Sequence, residues 1–189
     1  MRNITVKEIM VPLSEYATVN ENSTLMDAVL SLEKARQEFH RNPYRHRGVL
    51  VISNSGKVVG KINQMDVLRA LEPKYREMQG NHTFAHTGFT KNFMQQMFRA
   101  YNLWASPMDD ICRKGCELKV KDFMYKPGEG EYVEENSGMD EAINQLLMGP
   151  RQSLLVTKGD TVVGILRMTD VFSAVVEKMK TCAIDACAS

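Results

Sequence analysis

"VVGKINQMDVLRAL" (Val58–Leu71) and "VVGILRMTDVFSAV" (Val162–Val175) spell one junction twice. Each runs from a short apolar strand through a glycine into polar residues that open a helix, and each places an aspartate, Asp66 or Asp170, at the helix mouth. In the first copy Asn63 precedes Asp66 by three residues, the spacing of an N-cap and its N3 acid. Gly60 lets the chain leave its strand with no side chain in the way of whatever approaches. First-turn N–H groups attract anions, and an aspartate beside them can accept hydrogen bonds from a sugar diol. A nucleotide offers that combination of groups.

The repetition extends outward. "KEIM" (Lys7–Met10) is answered by "KDFM" (Lys121–Met124), and "TVNENSTLMDAV" (Thr18–Val29) by "YVEENSGMDEAI" (Tyr132–Ile143) without a gap. "GVLVISNSGKVVG" (Gly48–Gly60) is answered by "SLLVTKGDTVVG" (Ser153–Gly164). Matches in constant order, with length differences confined to loops, indicate a duplicated unit. Each unit reads as strand, helix, strand, strand, helix, which predicts an α/β fold. "STLMDAVLSLEKA" has a capping serine, Ser23, and apolar residues at Leu25, Val29 and Leu32. "GVLVIS" is a nearly continuous apolar run, suited to a strand covered on both faces. "NSGK" and "KGDT" are turn signals for hairpins. A unit of about 60 residues buries too little surface to stand alone, so the copies are expected to pack face to face. The expected organisation is a first repeat at 1–72, a mostly helical insertion at 73–117, a second repeat at 118–180 and a small-residue tail at 181–189. In the insertion, Phe89, Phe93, Met97, Tyr101 and Trp104 form a helical stripe, read as a helix docked on the module or on a partner.

Of the 189 residues 43% are hydrophobic and 25% charged, with a net charge of +1. That balance makes no electrostatic case for nucleic acid. The one basic cluster, "HRNPYRHR" (His40–Arg47), reads as a solvated loop, with RNA binding the weaker alternative. No apolar run approaches the roughly 20 residues that span a bilayer, and "MRNITVKEIM" lacks the apolar stretch of a signal peptide. The four cysteines form no CxxC pair, which suits free thiols in a reducing cytoplasm. Their spacing with His82 and His86 matches no usual zinc pattern, so no metal is expected. There is no Walker-type loop and no nucleophile with a base in sequence context, so no enzymatic activity is expected.

The duplicated unit, with "KEIM"/"KDFM" at its start and "VVG…D" near its end, resembles a tandem pair of CBS domains, a Bateman module. The resemblance covers both units but not the insertion. It implies two repeats packed through their sheets around pseudo-twofold-related clefts that bind adenosyl ligands such as AMP, ADP, ATP or S-adenosylmethionine, with no cofactor required. It further implies that Asp66 and Asp170 contact ribose. The family's Thr or Ser three residues earlier is replaced here by Asn63 and Arg167. The adenine pocket would draw on the opening strands, at Thr5, Val6 and Met10 and at Lys119, Val120 and Met124. Residues before the central strands, His46 and Arg47 and also Pro150 and Arg151, would approach the ligand. Each site would combine the opening strand of one unit with the aspartate of the other. Arg167 cannot cap a helix; its guanidinium either clamps a phosphate or fills the cleft as a built-in cation. One competent cleft is therefore a firmer expectation than two. The resemblance implies a cytoplasmic, homodimeric regulatory module acting in trans on a separate effector protein. The alternative is a structural dimerisation module with vestigial clefts.

Overall fold

The computed structural model describes residues 4–38, 48–72, 74, 91–104, 108–149 and 152–187. The first repeat contains α1 (Val6–Ile9), β1 (Val11–Pro12), β2 (Thr18–Asn20), α2 (Leu25–Glu38), β3 (Gly48–Ile52), β4 (Val58–Asn63) and α3 (Gln64–Leu71). Two helices of the insertion follow, α4 (Lys91–Ala100) and α5 (Met108–Glu117). The second repeat contains α6 (Val120–Phe123), β5 (Tyr132–Glu134), α7 (Met139–Met148), β6 (Ser153–Lys158), β7 (Thr161–Arg167) and α8 (Met168–Cys187), the last running past the expected boundary at residue 180.

In each repeat a parallel strand pair, β2–β3 or β5–β6, is joined through a helix, and an antiparallel hairpin follows. The hairpins turn at Gly56 (φ 80°) and Gly159 (φ 58°), left-handed conformations that glycine adopts without penalty. Both carry a register shift at the same place, Val51/Ile52 and Val156/Thr157. The α2 cap is Thr24 rather than Ser23: its Oγ1 accepts from the Asp27 N–H, and Asp27 accepts from the Thr24 N–H. The buried stripe of α2 is Leu25, Ala28 and Ala35, whereas Val29 is exposed, because the helix face toward the sheet is centred one residue earlier than the expected stripe.

The opening segments, expected as strands, are one-turn helices, and each docks on the other repeat. The Val6 N–H donates to the Ser137 carbonyl and the Lys7 N–H to that of Glu135, while Val120 and Lys121 donate to Ser23 and Glu21. The same exchange links the Met139 N–H to Ile4 and the Leu25 N–H to Leu118. Val6 accordingly belongs to the core of the second repeat, with Val133, Met139 and Leu166. Val120 and Phe123 belong to that of the first, with Leu25, Val49 and Ile62. Burying such a side chain contributes about 1.5–3 kcal/mol, so neither core is complete without the other repeat's opening turn. A third cluster, Tyr16, Leu50, Leu155 and Ile165, joins the two sheets.

Glycine makes the crossing possible. β1 pairs with β7 at Val11↔Ile165 and Pro12↔Gly164, and Tyr125 bridges Lys61 at the equivalent place. A Cβ on Gly164 would lie 2.6 Å from the Val11 carbonyl oxygen and 2.9 Å from the Met10 sulfur. On Gly60 it would lie 2.7 Å from the Met124 sulfur and 3.0 Å from the Tyr125 carbonyl oxygen. What approaches Gly60 is thus the opening segment of the other repeat.

The insertion docks on the helices of the first repeat. Lys114 Nζ donates to the Leu71 carbonyl at 2.8 Å, satisfying a helix-end acceptor. The buried Glu72 accepts from the Trp104 N–H at 2.7 Å. Along α4, Phe93 and Met97 are half-buried, while Met94 and Phe98 are exposed; Phe89 lies outside the described residues.

Candidate functional site

A cleft of about 410 Å³ opens where the first turns of α3 and α8 converge. Its walls are Tyr16, Gly48–Leu50 and Lys61–Met65 from the first repeat, with Tyr125, Gln152, Ser153, Ile165 and Arg167–Thr169 from the second. That volume is in the range of small-molecule sites. The strands bring the helix mouths together because Gly48 pairs with Asn63 and Ser153 with Arg167, so both hairpins end at the same level.

The two mouths are closed differently. Asn63 Oδ1 accepts from the Asp66 N–H at 3.1 Å, and Asp66 Oδ2 accepts from the Asn63 N–H at 2.9 Å, a reciprocal capping box. At the second mouth the Arg167 N–H donates to Asp170 Oδ2 at 3.1 Å, and Arg167 Nε donates to the same oxygen at 2.7 Å. Arg167 Nη2 also donates to Asp170 Oδ1. The result is a bidentate fork within the first turn of α8, and Arg167 is only 8% exposed. Neither Asp66 nor Asp170 lines the cleft, because both carboxylates are turned back onto their own caps.

A second buried ion pair ties the repeats together. Lys61 Nζ donates to Glu131 Oε2 at 2.6 Å, and to the Ser153 carbonyl and Oγ at 3.3 and 3.4 Å. It sits 5.4 Å from the centroid of the Tyr125 ring, and the Tyr125 hydroxyl donates to Glu131 Oε1. Burial pushes the Glu131 carboxyl up, but the hydrogen bonds from Lys61 and Tyr125 and the lysine charge outweigh it and hold the group below its usual value. The position equivalent to Lys61 in "VVGILR" is Ile165, so an apolar contact stands where the first repeat has a strand cation. Tyr16 lines the cleft in the cluster that holds Ile165; burial pushes its hydroxyl up to about 12, with Arg167 pulling it down and Asp170 adding to the rise. It is therefore a neutral phenol at ordinary pH.

Of the residues singled out from sequence, Asn63 and Arg167 line the cleft. Val6 and Val120 have side chains fully buried in the cores, and their N–H and carbonyl groups are taken by Ser137 and Met10, and by Ser23 and Met124. Met10 and Met124 rest on Gly164 and Gly60. Thr5 is half-buried and caps α1 through Glu8, and Lys119 is exposed at the start of α6. Thr5 and Met10 do lie against the second repeat, and Lys119 and Met124 against the first. His46, Arg47, Pro150 and Arg151 lie outside the described residues, as does the "HRNPYRHR" cluster. Sequence reading missed Lys61, Tyr125, Glu131 and Tyr16. A signal existed for Lys61, a lone cation in a strand whose second copy has isoleucine.

Among the described residues no group of His, Cys, Asp and Glu is arranged to hold a metal ion. No described helix is long and apolar enough to cross a membrane.

A family profile for the CBS domain matches residues 6–73. No curated protein matches the chain. Among solved structures, CBSX2 in complex with AMP is 18% identical over 94% of this chain and 99% of its own, at a TM-score of 0.58. CBSX2 from Arabidopsis thaliana, described as a CBS-pair protein, is 20% identical over 93% of this chain and 96% of its own, at 0.56. The CBS domain of the bacterial CNNM/CorC family Mg2+ transporter in complex with ATP is 16% identical over 93% of this chain and 89% of its own, at 0.58. Identities this low speak for fold. With the sequence match to the CBS domain over the first repeat and the same architecture repeated in the second, the chain has the fold of a tandem CBS pair.

Proposed function

We propose that the protein is a regulatory module that binds an adenosyl ligand, AMP, ADP, ATP or S-adenosylmethionine, in the cleft between its repeats and signals to a separate effector protein. The observation that carries this reading is the convergence of two helix mouths on one cleft walled by Lys61, Asn63 and Arg167. Helical geometry leaves first-turn N–H groups without intrahelical partners, so the α3 mouth offers donors to an anion. Two nucleotide-bound structures with this fold, one in complex with AMP and one with ATP, support the ligand class. A ligand seated here touches both repeats at once. It alters their relative arrangement to the extent that it binds two arrangements unequally. Action in the cytoplasm as a homodimer belongs to the same proposal.

The Arg167–Asp170 fork favours the other reading for the second mouth, a cleft closed by its own cation, which at both mouths would leave a structural dimerisation module. Thermal melts with each of the four ligands separate the two. Ligand at 100 times its Kd stabilises the folded state by about 2.7 kcal/mol, a rise of roughly 5–10 °C for a chain of this size. Native mass spectrometry of the freshly purified protein reads retained ligand and oligomeric state together. Flat melts with all four, and no retained mass, would overturn nucleotide binding.

A further inference from the structure

Arg167 lines the cleft, and Asp170, whose carboxylate holds the Arg167 guanidinium, does not. Three hydrogen bonds from Arg167 run to the Asp170 carboxylate, two to Oδ2 and one to Oδ1. A phosphate presents the same pair of oxygens to a guanidinium, and the surroundings favour it. Ser153, the strand partner of Arg167, is also touched by Lys61 Nζ, so both cations of the cleft converge on one strand end. Asp170 is not stranded if the guanidinium turns away, because it keeps the Arg167 backbone N–H at 3.1 Å and gains room for hydroxyl donors. The first mouth is built differently: Asn63 is neutral, and Arg69 lies 3.9 Å from Asp66 on the next helical turn.

We infer that Arg167 and Asp170 form an exchangeable latch that makes the second mouth selective for phosphorylated ligands. An entering phosphate takes the Arg167 fork from Asp170, and the released carboxylate accepts hydrogen bonds from the hydroxyls of the same ligand. An uncharged nucleoside offers Arg167 nothing and meets a closed mouth. The inference rests on the nucleotide reading for its ligand, but the exchange itself can be tested with an inorganic anion.

The Arg167 Nε–H signal of the wild-type protein is followed by NMR while AMP, adenosine or tripolyphosphate is added, and calorimetry measures the affinity of each for wild type, R167T and D170N, all checked for folding by melting. AMP and tripolyphosphate should move the Arg167 signal, and adenosine should not. R167T should lower the preference for AMP over adenosine by about tenfold or more, the worth of one charge-assisted contact. D170N should tighten tripolyphosphate. If tripolyphosphate moves the signal and D170N tightens it while no nucleotide binds, the latch stands and the nucleotide reading falls. If AMP binds with the Arg167 signal unmoved, or R167T keeps the wild-type preference, nucleotide binding stands and the latch is wrong. The wild-type titration decides the matter even if a variant does not fold.

Discussion

The two halves of the cleft are copies of one junction that differ at each of the five positions between glycine and aspartate, and two of those differences change the charge. Where the first repeat has Lys61 and Asn63, the second has Ile165 and Arg167. The first pair gives a strand cation that reaches across to Glu131 and a neutral cap; the second gives an apolar contact and a charged fork at the cap. Backbone relations survived duplication, down to matching bulges and the exchanged opening turns. The side chains facing the cleft did not. Duplication preserves what both cores need and leaves free what only the shared space between them sees.

Replacing one member of the ionic tie should show the largest effect. Lys61→Met leaves Glu131 buried beside an uncompensated gap, a loss of about 3–5 kcal/mol readable as a shift in the urea midpoint. Adding Glu131→Gln should recover a large part, because the amide carbonyl still accepts from Tyr125 while the stranded charge is gone. If the double variant is no more stable than Lys61→Met, the tie is not what distinguishes the halves.

Next come the crossing points. Gly164→Ala should cost about 1–3 kcal/mol, and more than Gly60→Ala. At Gly164 the new Cβ meets a backbone carbonyl at 2.6 Å, whereas at Gly60 the nearest atom, at 2.7 Å, is the flexible Met124 thioether. Thermal melts of the two variants rank them directly, and the reverse order would mean that the β1–β7 pairing yields more easily than Met124.

The smallest effect is on pH dependence. Glu131 titrates lower in the folded chain than its unfolded value of about 4.3. Its contribution is therefore fully present above that value and fades as the pH falls through the folded one. The stability gap between wild type and Glu131→Gln should narrow on acidification from roughly pH 6 to pH 3. A gap independent of pH would remove the carboxylate from the tie.

Much of the fold was legible because repetition doubles weak local signals. One strand–glycine–aspartate junction is common; two in the same order, each preceded by "ENS" and an apolar helix, specify a duplicated unit. The Asn63–Asp66 cap was readable for the same reason, since capping depends on residues three apart. The opening turns were read as strands because four residues carry too little periodicity to separate a helical turn from a strand. That the Val6 and Val120 side chains are buried in the cores was not legible, because position along the chain says nothing about which way a side chain points once the turn crosses to the other repeat.

The order of the repeated strands and longer helices and the glycine-bearing hairpin turns were determined by the sequence alone, since each depends on neighbours within a few residues. Which repeat completes which core, that Lys61 finds Glu131 some seventy positions away, and that Arg167 turns its fork onto Asp170 rather than into the cleft were decided only by tertiary structure. Buried charges take whichever partners the packing brings within reach, and no spacing along the chain encodes that reach.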